Sequence, residues 1–321
     1  ASFPDSEYEA AGASIVGTAE DTWAQAELLL KVKEPLESEY QYLRPDLTVF
    51  TYLHLAADRP LTEALVDANT TAIAYETVTD RHGTLPLLTP MSQVAGRLAA
   101  IEGTHHLLST QGGRGLLVSG VPGTQPARVV VIGGGQVGAS AVAMAHGLRA
   151  EVTVLDLDPH VLQRFDDQYA GRVRTLISDP ATIDKELQEA DLVIGAVLIP
   201  GAAAPKLVRE ETVKKMKKGA VLVDVAIDQG GCFENSKKTS HDDPTFQVHD
   251  TLFYCVANMP GAVANTSTRA LSSATLPYIR AVANDSLDAA IKRFPGLEGG
   301  VMTRGGRLVS EPVRKAFDWE D

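Results

Sequence analysis

The sequence predicts an α/β protein with mainly parallel sheets. Short apolar, β-branched runs alternate with helical patterns along most of the chain, the signature of strands joined by covering helices. Several of these runs are continuously apolar rather than alternating, as strands buried on both faces must be. No internal repeat or low-complexity tract interrupts the series.

The first strand candidates are residues 13–16, 28–33, 47–55 and 72–78. Residues 60–68 read as a helix that starts on Pro60, where proline is tolerated. A long helix is predicted from Pro90 to about Thr110, broken by the glycines of residues 111–115. A second series of strands follows at 128–132, 152–155, 173–177, 192–197, 221–227 and 252–256. From Ser267 onward the pattern reads as helical. A long helix between two α/β series, with a helical tail, predicts a discontinuous first domain of residues 1–86 and 265–321. The second domain is predicted over 87–264. A small-ligand site is expected in the cleft between two such domains.

Composition narrows the function. The 321 residues are 44% hydrophobic and 22% charged, enough for two sizeable cores. Twenty-nine Lys and Arg against 41 Asp and Glu give a net charge of −12. That argues against nucleic acid or an anionic membrane as a partner held by a general field, while a locally basic pocket for an acidic substrate stays open. Two cysteines, Cys232 and Cys255, without a CxxC pair give no disulfide framework or zinc site. No metal-ligand cluster is visible, so no metal is expected. No apolar run reaches transmembrane length and no secretory signal is seen. The cytoplasm is therefore the default expectation, for a chain that opens at Ala1.

The most specific local signal is Val129-Val-Val-Ile-Gly133-Gly-Gly135-Gln136-Val137-Gly138. It is a G-x-G-x-x-G turn directly after a buried strand and before a helical run, the fingerprint of a Rossmann dinucleotide site. The first glycine makes the tight turn, the second admits the pyrophosphate, and the third lets helix and strand pack. Free N–H groups of the helix start face the phosphates. Asp156 ends the next strand, 23 positions after Gly133, where a carboxylate bonds the adenine ribose and repels a 2′-phosphate. Residues 157–160 offer no arginine to compensate, so the cofactor reads as NAD rather than NADP. The alternative is a glycine turn that merely packs, with Asp156 as a helix cap. Later strand ends point at the same crevice in such sheets, which nominates Ser178, Val197, Leu198, Asp228 and Asn258. Ser178 reads equally as a cap before Pro180.

Hydride chemistry also needs a proton-transfer group and a group for the substrate. Lys31 and Lys33 share a face of one apolar strand, either to bind a carboxylate or as snorkelling surface lysines. His54 lies near the end of another strand, as an acid/base or as a satisfied core histidine. Ser92 opens the long helix, as a first-turn residue or at a positive end that faces an anion. Asp228 follows a buried strand in a glycine-rich loop, as a nicotinamide neighbour or as a turn aspartate. Asp224 lies inside that strand and reads as structural.

The strings LLLKVKEP, FTYLHLAA, PMSQVAGRLAA, QGGRG, VVVIGGG, ADLVIGAVLIPGAAAPKLV, VLVDVAIDQGGCFE and HDTLFYCVANMPGAV stand in order from about Ser14 to Leu276. In these the chain resembles the NAD-dependent bacterial L-alanine dehydrogenases of the alanine dehydrogenase/pyridine nucleotide transhydrogenase family. The resemblance implies two Rossmann-like domains: a doubly wound parallel-sheet NAD-binding domain and a discontinuous α/β substrate domain. It implies reversible conversion of L-alanine to pyruvate and ammonia by a homo-oligomer, usually a hexamer. By match of motif, His54 and Asp228 would be catalytic, and Lys33, Met91 and Ser92 would meet the substrate. Ser92, the glycine turn, Asp156, Ser178, Val197, Leu198, Ile227, Asp228, Val256, Asn258 and Met259 would contact the cofactor. Family members carry a further opening segment, with an arginine that grips the substrate carboxylate, ahead of the counterpart of Ala1. Taken as a complete chain, this sequence implies NAD binding with poor or absent turnover; taken as a piece of a longer chain, it implies a normal parent enzyme. Other readings are the NAD-binding component of a proton-translocating transhydrogenase, a saccharopine-type opine dehydrogenase, or a non-catalytic NAD sensor.

Overall fold

A computed structural model describes residues 1–197 and 204–320. In chain order, helices α1 (Asp5–Ala10) and α2 (Ala19–Gln25) precede β1 (Leu28–Leu30), β2 (Thr48–Thr51), α3 (Arg59–Asp67) and β3 (Thr71–Ala74). Helix α4 (Thr89–His106) leads to β4 (Arg128–Ile132), α5 (Gln136–Gly147), β5 (Glu151–Asp156), α6 (Pro159–Tyr169) and β6 (Arg174–Ile177). Then come α7 (Pro180–Gln188), β7 (Leu192–Gly195), α8 (Glu210–Val213), β8 (Val221–Asp224), β9 (Thr245–Val248) and β10 (Thr251–Tyr254). The tail forms α9 (Ala264–Asn284), α10 (Leu287–Arg293), β11 (Val301–Arg304), β12 (Arg307–Leu308) and α11 (Glu311–Ala316). The described residues divide into two compact units, 1–90 with 263–320 and 91–197 with 204–262.

In the unit of 91–197 and 204–262, the strand order is β6-β5-β4-β7-β8-β10-β9. All neighbours run parallel except the β9–β10 pair. Numbered from β4 the order is 3-2-1-4-5-7-6: a doubly wound parallel sheet whose last two strands end in the antiparallel edge strand β9, with the order reversing between β4 and β7. Stiff β-branched side chains suit such a central strand, and Val129, Val131 and Ile132 are fully buried. Ile132, Leu155, Val193, Leu222, Phe233 and Phe253 share one core. Asp158 and Asp179 cap α6 and α7, each followed by a proline in the first turn.

The other unit has the order β1-β2-β3-β11-β12. Strands β1 to β3 are parallel, and β11 runs antiparallel to β3. Leu47, Val49, Leu53, Leu61, Leu65 and Leu308 fill its core.

The structure departs from the predicted elements at several points. Residues 13–16 form no strand, and Ile15 is exposed: an apolar run without a sheet neighbour has nothing to pair with. The tail, predicted helical, holds the β11–β12 hairpin. Gly305 and Gly306 both have positive φ there, as a two-residue hairpin turn requires. Strands β1, β2 and β8 stop three or four residues before the predicted ends, at Leu30, Thr51 and Asp224. Lys31 and Lys33 therefore lie past the strand rather than on one of its faces.

Cys232 and Cys255 are both fully buried. Burial pushes the Cys255 thiol up to about 12 and raises Cys232 well above its ordinary range, so both stay protonated and shielded. A thiol reagent at pH 8 should label neither cysteine in the native protein and both in concentrated urea. Fast native labelling would contradict this packing.

Candidate active site

The glycine turn joins β4 to α5 at the point where the sheet order reverses. Gly133 has φ of 98°, and a Cβ there would lie 2.8 Å from the carbonyl oxygen of Ala196, at the end of β7. A Cβ on Gly138 would lie 1.8 Å from the Gly133 carbonyl oxygen, so helix and turn approach as only glycine allows. Gly135 differs: it is exposed, and a Cβ on it would meet nothing within 4 Å. The protein itself does not require glycine at that position. A ligand backbone that must approach the main chain does, which is the role of the second glycine in a dinucleotide turn. No side chain caps α5, so its first-turn N–H groups stay available to an anion. Gln136 is exposed beside them and Val137 is buried.

Asp156, at the end of β5, accepts the Gly134 N–H at 2.6 Å through Oδ2 and the Asp158 N–H at 2.9 Å through Oδ1. A carboxylate oxygen accepts more than one bond, so the group both orders the turn and can meet a ribose hydroxyl. Arg164 of α6 donates to the Gly134 carbonyl at 2.9 Å. It lies just beyond residues 157–160, and sequence reasoning missed it because one helical turn carries it back to the glycines. Leu157 is 76% exposed, an apolar side chain left open next to Asp156. Ser178 is not the cap of α7; the carboxylate of Asp179 accepts the Ala181 and Thr182 N–H groups. Val197 lies against the glycine turn, its Cγ2 within 3.1 Å of a Cβ built on Gly133. Leu198 lies outside the described residues.

Beyond β8 a 3-10 turn, Val225–Gln229, carries buried Ile227 and partly exposed Asp228. The Asn258 N–H points at Asp228 Oδ2 over 3.4 Å, and Asn258 takes a left-handed φ of 55°. Val256 and Met259 on either side are buried. His241 Nε2 is 3.4 Å from the Asn258 carbonyl oxygen, a second neighbour that no sequence motif announced. Met91 is partly exposed and Ser92 buried in the first turn of α4. In this unit the glycine turn, Asp156, Ser178, Val197, Ile227, Asp228 and residues 256–259 lie at or follow the ends of β4, β5, β6, β7, β8 and β10, while Met91 and Ser92 open α4.

In the other unit, His54 lies three residues past β2 with a left-handed φ of 51°. That conformation is uncommon outside glycine. Glu76, just after β3 and buried, holds it: its carboxylate accepts the Leu53 N–H at 3.1 Å and the His54 N–H at 2.6 Å. The imidazole Nδ1 is 4.0 Å from Glu76 Oε1, beyond hydrogen-bond range, and the ring stacks near Tyr52 at 6.1 Å. Tyr52 donates its own hydroxyl to the Leu87 carbonyl at 2.6 Å. The Lys33 carbonyl accepts the Thr51 hydroxyl at 3.0 Å, tying the β1 exit to β2. Lys31 is committed elsewhere, paired with Glu39 and lying over the Trp23 ring. Glu76 escaped sequence reasoning; a carboxylate directly after the apolar run of β3 was the signal that could have found it.

Among the described residues, no group of three or more His, Cys, Asp or Glu could hold a metal ion. No described helix is long and apolar enough to cross a membrane.

Residues 1–95 match the family model for the alanine dehydrogenase/PNT N-terminal domain, and 99–311 the model for its C-terminal domain. The chain is 56% identical over 314 residues to the alanine dehydrogenase of Mycolicibacterium smegmatis, covering 98% of this chain and 85% of that protein. A solved L-alanine dehydrogenase superposes with a TM-score of 0.91 at 47% identity, over 99% of this chain and 87% of the other. A solved transhydrogenase from Sinorhizobium meliloti superposes with a TM-score of 0.77 at 25% identity, over 97% and 86%.

Two glycines separate packing from ligand approach. Gly138→Ala should destabilise the protein by about 3 kcal/mol through overpacking. Gly135→Ala should leave the melting temperature unchanged yet weaken binding of a reduced pyridine nucleotide about tenfold or more in a fluorescence titration. Equal loss of stability in both would refute the distinction. Glu76→Leu, which leaves the Leu53 and His54 amides without their acceptor, should cost about 1–3 kcal/mol in guanidinium unfolding.

Proposed function

Since the chain belongs to the alanine dehydrogenase/PNT family, we propose that it catalyses the reversible oxidative deamination of L-alanine with NAD. Alanine, NAD and water give pyruvate, ammonium, NADH and a proton. The observation that carries this reading is 56% identity to an alanine dehydrogenase over 98% of the chain. The lower identity to the transhydrogenase, 25% against 47% for the solved alanine dehydrogenase, favours amino-acid chemistry over the transhydrogenase alternative. In this reading residues 87–264 bind the cofactor, and 1–86 with 265–321 bind the substrate.

The residues present suit a dinucleotide. The open space at Gly135 and the uncapped start of α5 would take the pyrophosphate, and Asp156 the adenine ribose. A carboxylate at that place disfavours a 2′-phosphate, so NAD is preferred to NADP. Bound NAD supplies the acceptor for the hydride that leaves the alanine α-carbon. His54 serves as acid/base, moving protons on and off the amine and oxygen groups. Its fixed main chain keeps the imidazole in place. Lys33 polarises the substrate oxygen, Met91 and Ser92 border the substrate, and Asp228 assists the water and amine steps. Orientation and local charge are the protein's contribution, and the redox chemistry is the cofactor's. A cytoplasmic homohexamer is part of the same reading, and light scattering on the eluting protein tests its mass.

Absorbance assays with alanine and NAD check the roles. His54→Ala should lower turnover about 10²–10⁴-fold while NADH binding stays within twofold of the parent. Unchanged turnover would remove His54 from the reaction. The parent should reduce NADP far more slowly than NAD, and Asp156→Ala should narrow that gap.

A further inference from the structure

Asp224, the last residue of β8, has a fully buried side chain. No lysine or arginine pairs with it among the described residues. Five donors converge on it instead. Oδ1 accepts the Ala226 N–H at 3.0 Å and faces the Cys232 thiol at 3.5 Å. Oδ2 accepts the Cys232 N–H at 2.9 Å, the Phe233 N–H at 3.4 Å and the Ser236 hydroxyl. These donors belong to both arms of one loop, and Asp228 lies on the first arm.

The rest of the loop is built around that carboxylate. A Cβ on Gly231 would stand 2.6 Å from Asp224 Oδ2, and its φ is 77°, so the chain passes the carboxylate where a side chain cannot. The Gly231 N–H returns to the Ala226 carbonyl at 3.0 Å and the Gly230 N–H to the Ile227 carbonyl at 3.0 Å. Lys206 spans the same arms, donating to the carbonyls of Gly230 at 2.6 Å and Phe233 at 3.1 Å. Burial raises the carboxyl of Asp224, and the hydrogen bonds from Ser236, Phe233 and Cys232 oppose that rise. A group so costly to bury is justified by what it orders.

We propose that Asp224, completed by the Ser236 hydroxyl, is a positioning residue for the reaction: it closes the 225–236 loop and thereby fixes where Asp228 meets the reacting groups. The proposal rests on the role given to Asp228 above. It differs from a purely structural role because geometry at Asp228 would affect the chemical step more than folding or cofactor binding.

Ser236→Ala removes one donor and leaves the four others. Expected are a melting temperature within a few degrees of the parent, NADH affinity within twofold, and kcat about tenfold lower with KM for alanine nearly unchanged. Ser236→Thr, which keeps the hydroxyl, should recover most of kcat. Asp224→Asn should lose more, because either rotamer of the amide turns its NH2 toward at least two donors. If Asp224→Asn does not fold, the serine pair decides. A kcat per folded enzyme that is unchanged in Ser236→Ala, while Asp228→Asn is inactive, overturns the positioning role and leaves the function intact. Full activity in Asp228→Asn overturns the role of Asp228 and this inference with it.

Discussion

Main-chain N–H groups just beyond the strand ends are held by carboxylates, and the candidate site depends on that arrangement. Glu76 takes the amides of Leu53 and His54, Asp156 those of Gly134 and Asp158, and Asp224 those of Ala226, Cys232 and Phe233. At the end of a strand the ladder no longer pairs the backbone, yet a buried N–H left alone is expensive. A carboxylate answers several such groups at once, through bonds roughly twice as strong as neutral ones. Loops that would otherwise wander acquire a fixed path.

That arrangement divides labour among the acids. Glu76 and Asp224 are buried and engaged with main chain, so they shape the backbone that carries His54 and Asp228, the residues proposed to act on the substrate. Asp156 is less buried and retains acceptor capacity toward a ligand. The acidic residues that matter to the chemistry are thus a small subset of the 41 in the chain, and burial with amide partners separates the organisers from the actors. Preorganisation of this kind is what an enzyme contributes when its cofactor supplies the redox step.

The fold class was legible because it rests on periodic properties: continuous apolar runs, glycine spacing, and an acid at the end of the next strand. The glycine turn, Asp156 and the positions of β4 to β8 along the chain follow from them. Strand ends were less legible. The apolar pattern of residues 47–55 continues through Leu53 and Leu55 because those side chains fill the core from a turn rather than a strand. The left-handed conformation of His54 is imposed by Glu76, 22 positions away, which no local propensity contains. Asp224 read as structural from its position in a strand, but the loop it closes required the structure. The β11–β12 hairpin was written in its Gly-Gly pair and was overridden by the helical pattern before it. A resemblance spanning most of the chain named His54, Lys33 and Asp228 together, which residue chemistry alone left open.

The direct test of the strand-end carboxylates is residue-resolved amide hydrogen exchange in the native protein without ligand. The amides of His54, Gly134 and Cys232 should exchange as slowly as ladder amides of β4 and β8, although they lie outside regular structure. Exchange at the rate of the open turn at Gly123 would contradict the account, because the loops that carry the site would then lack the anchors assigned to them.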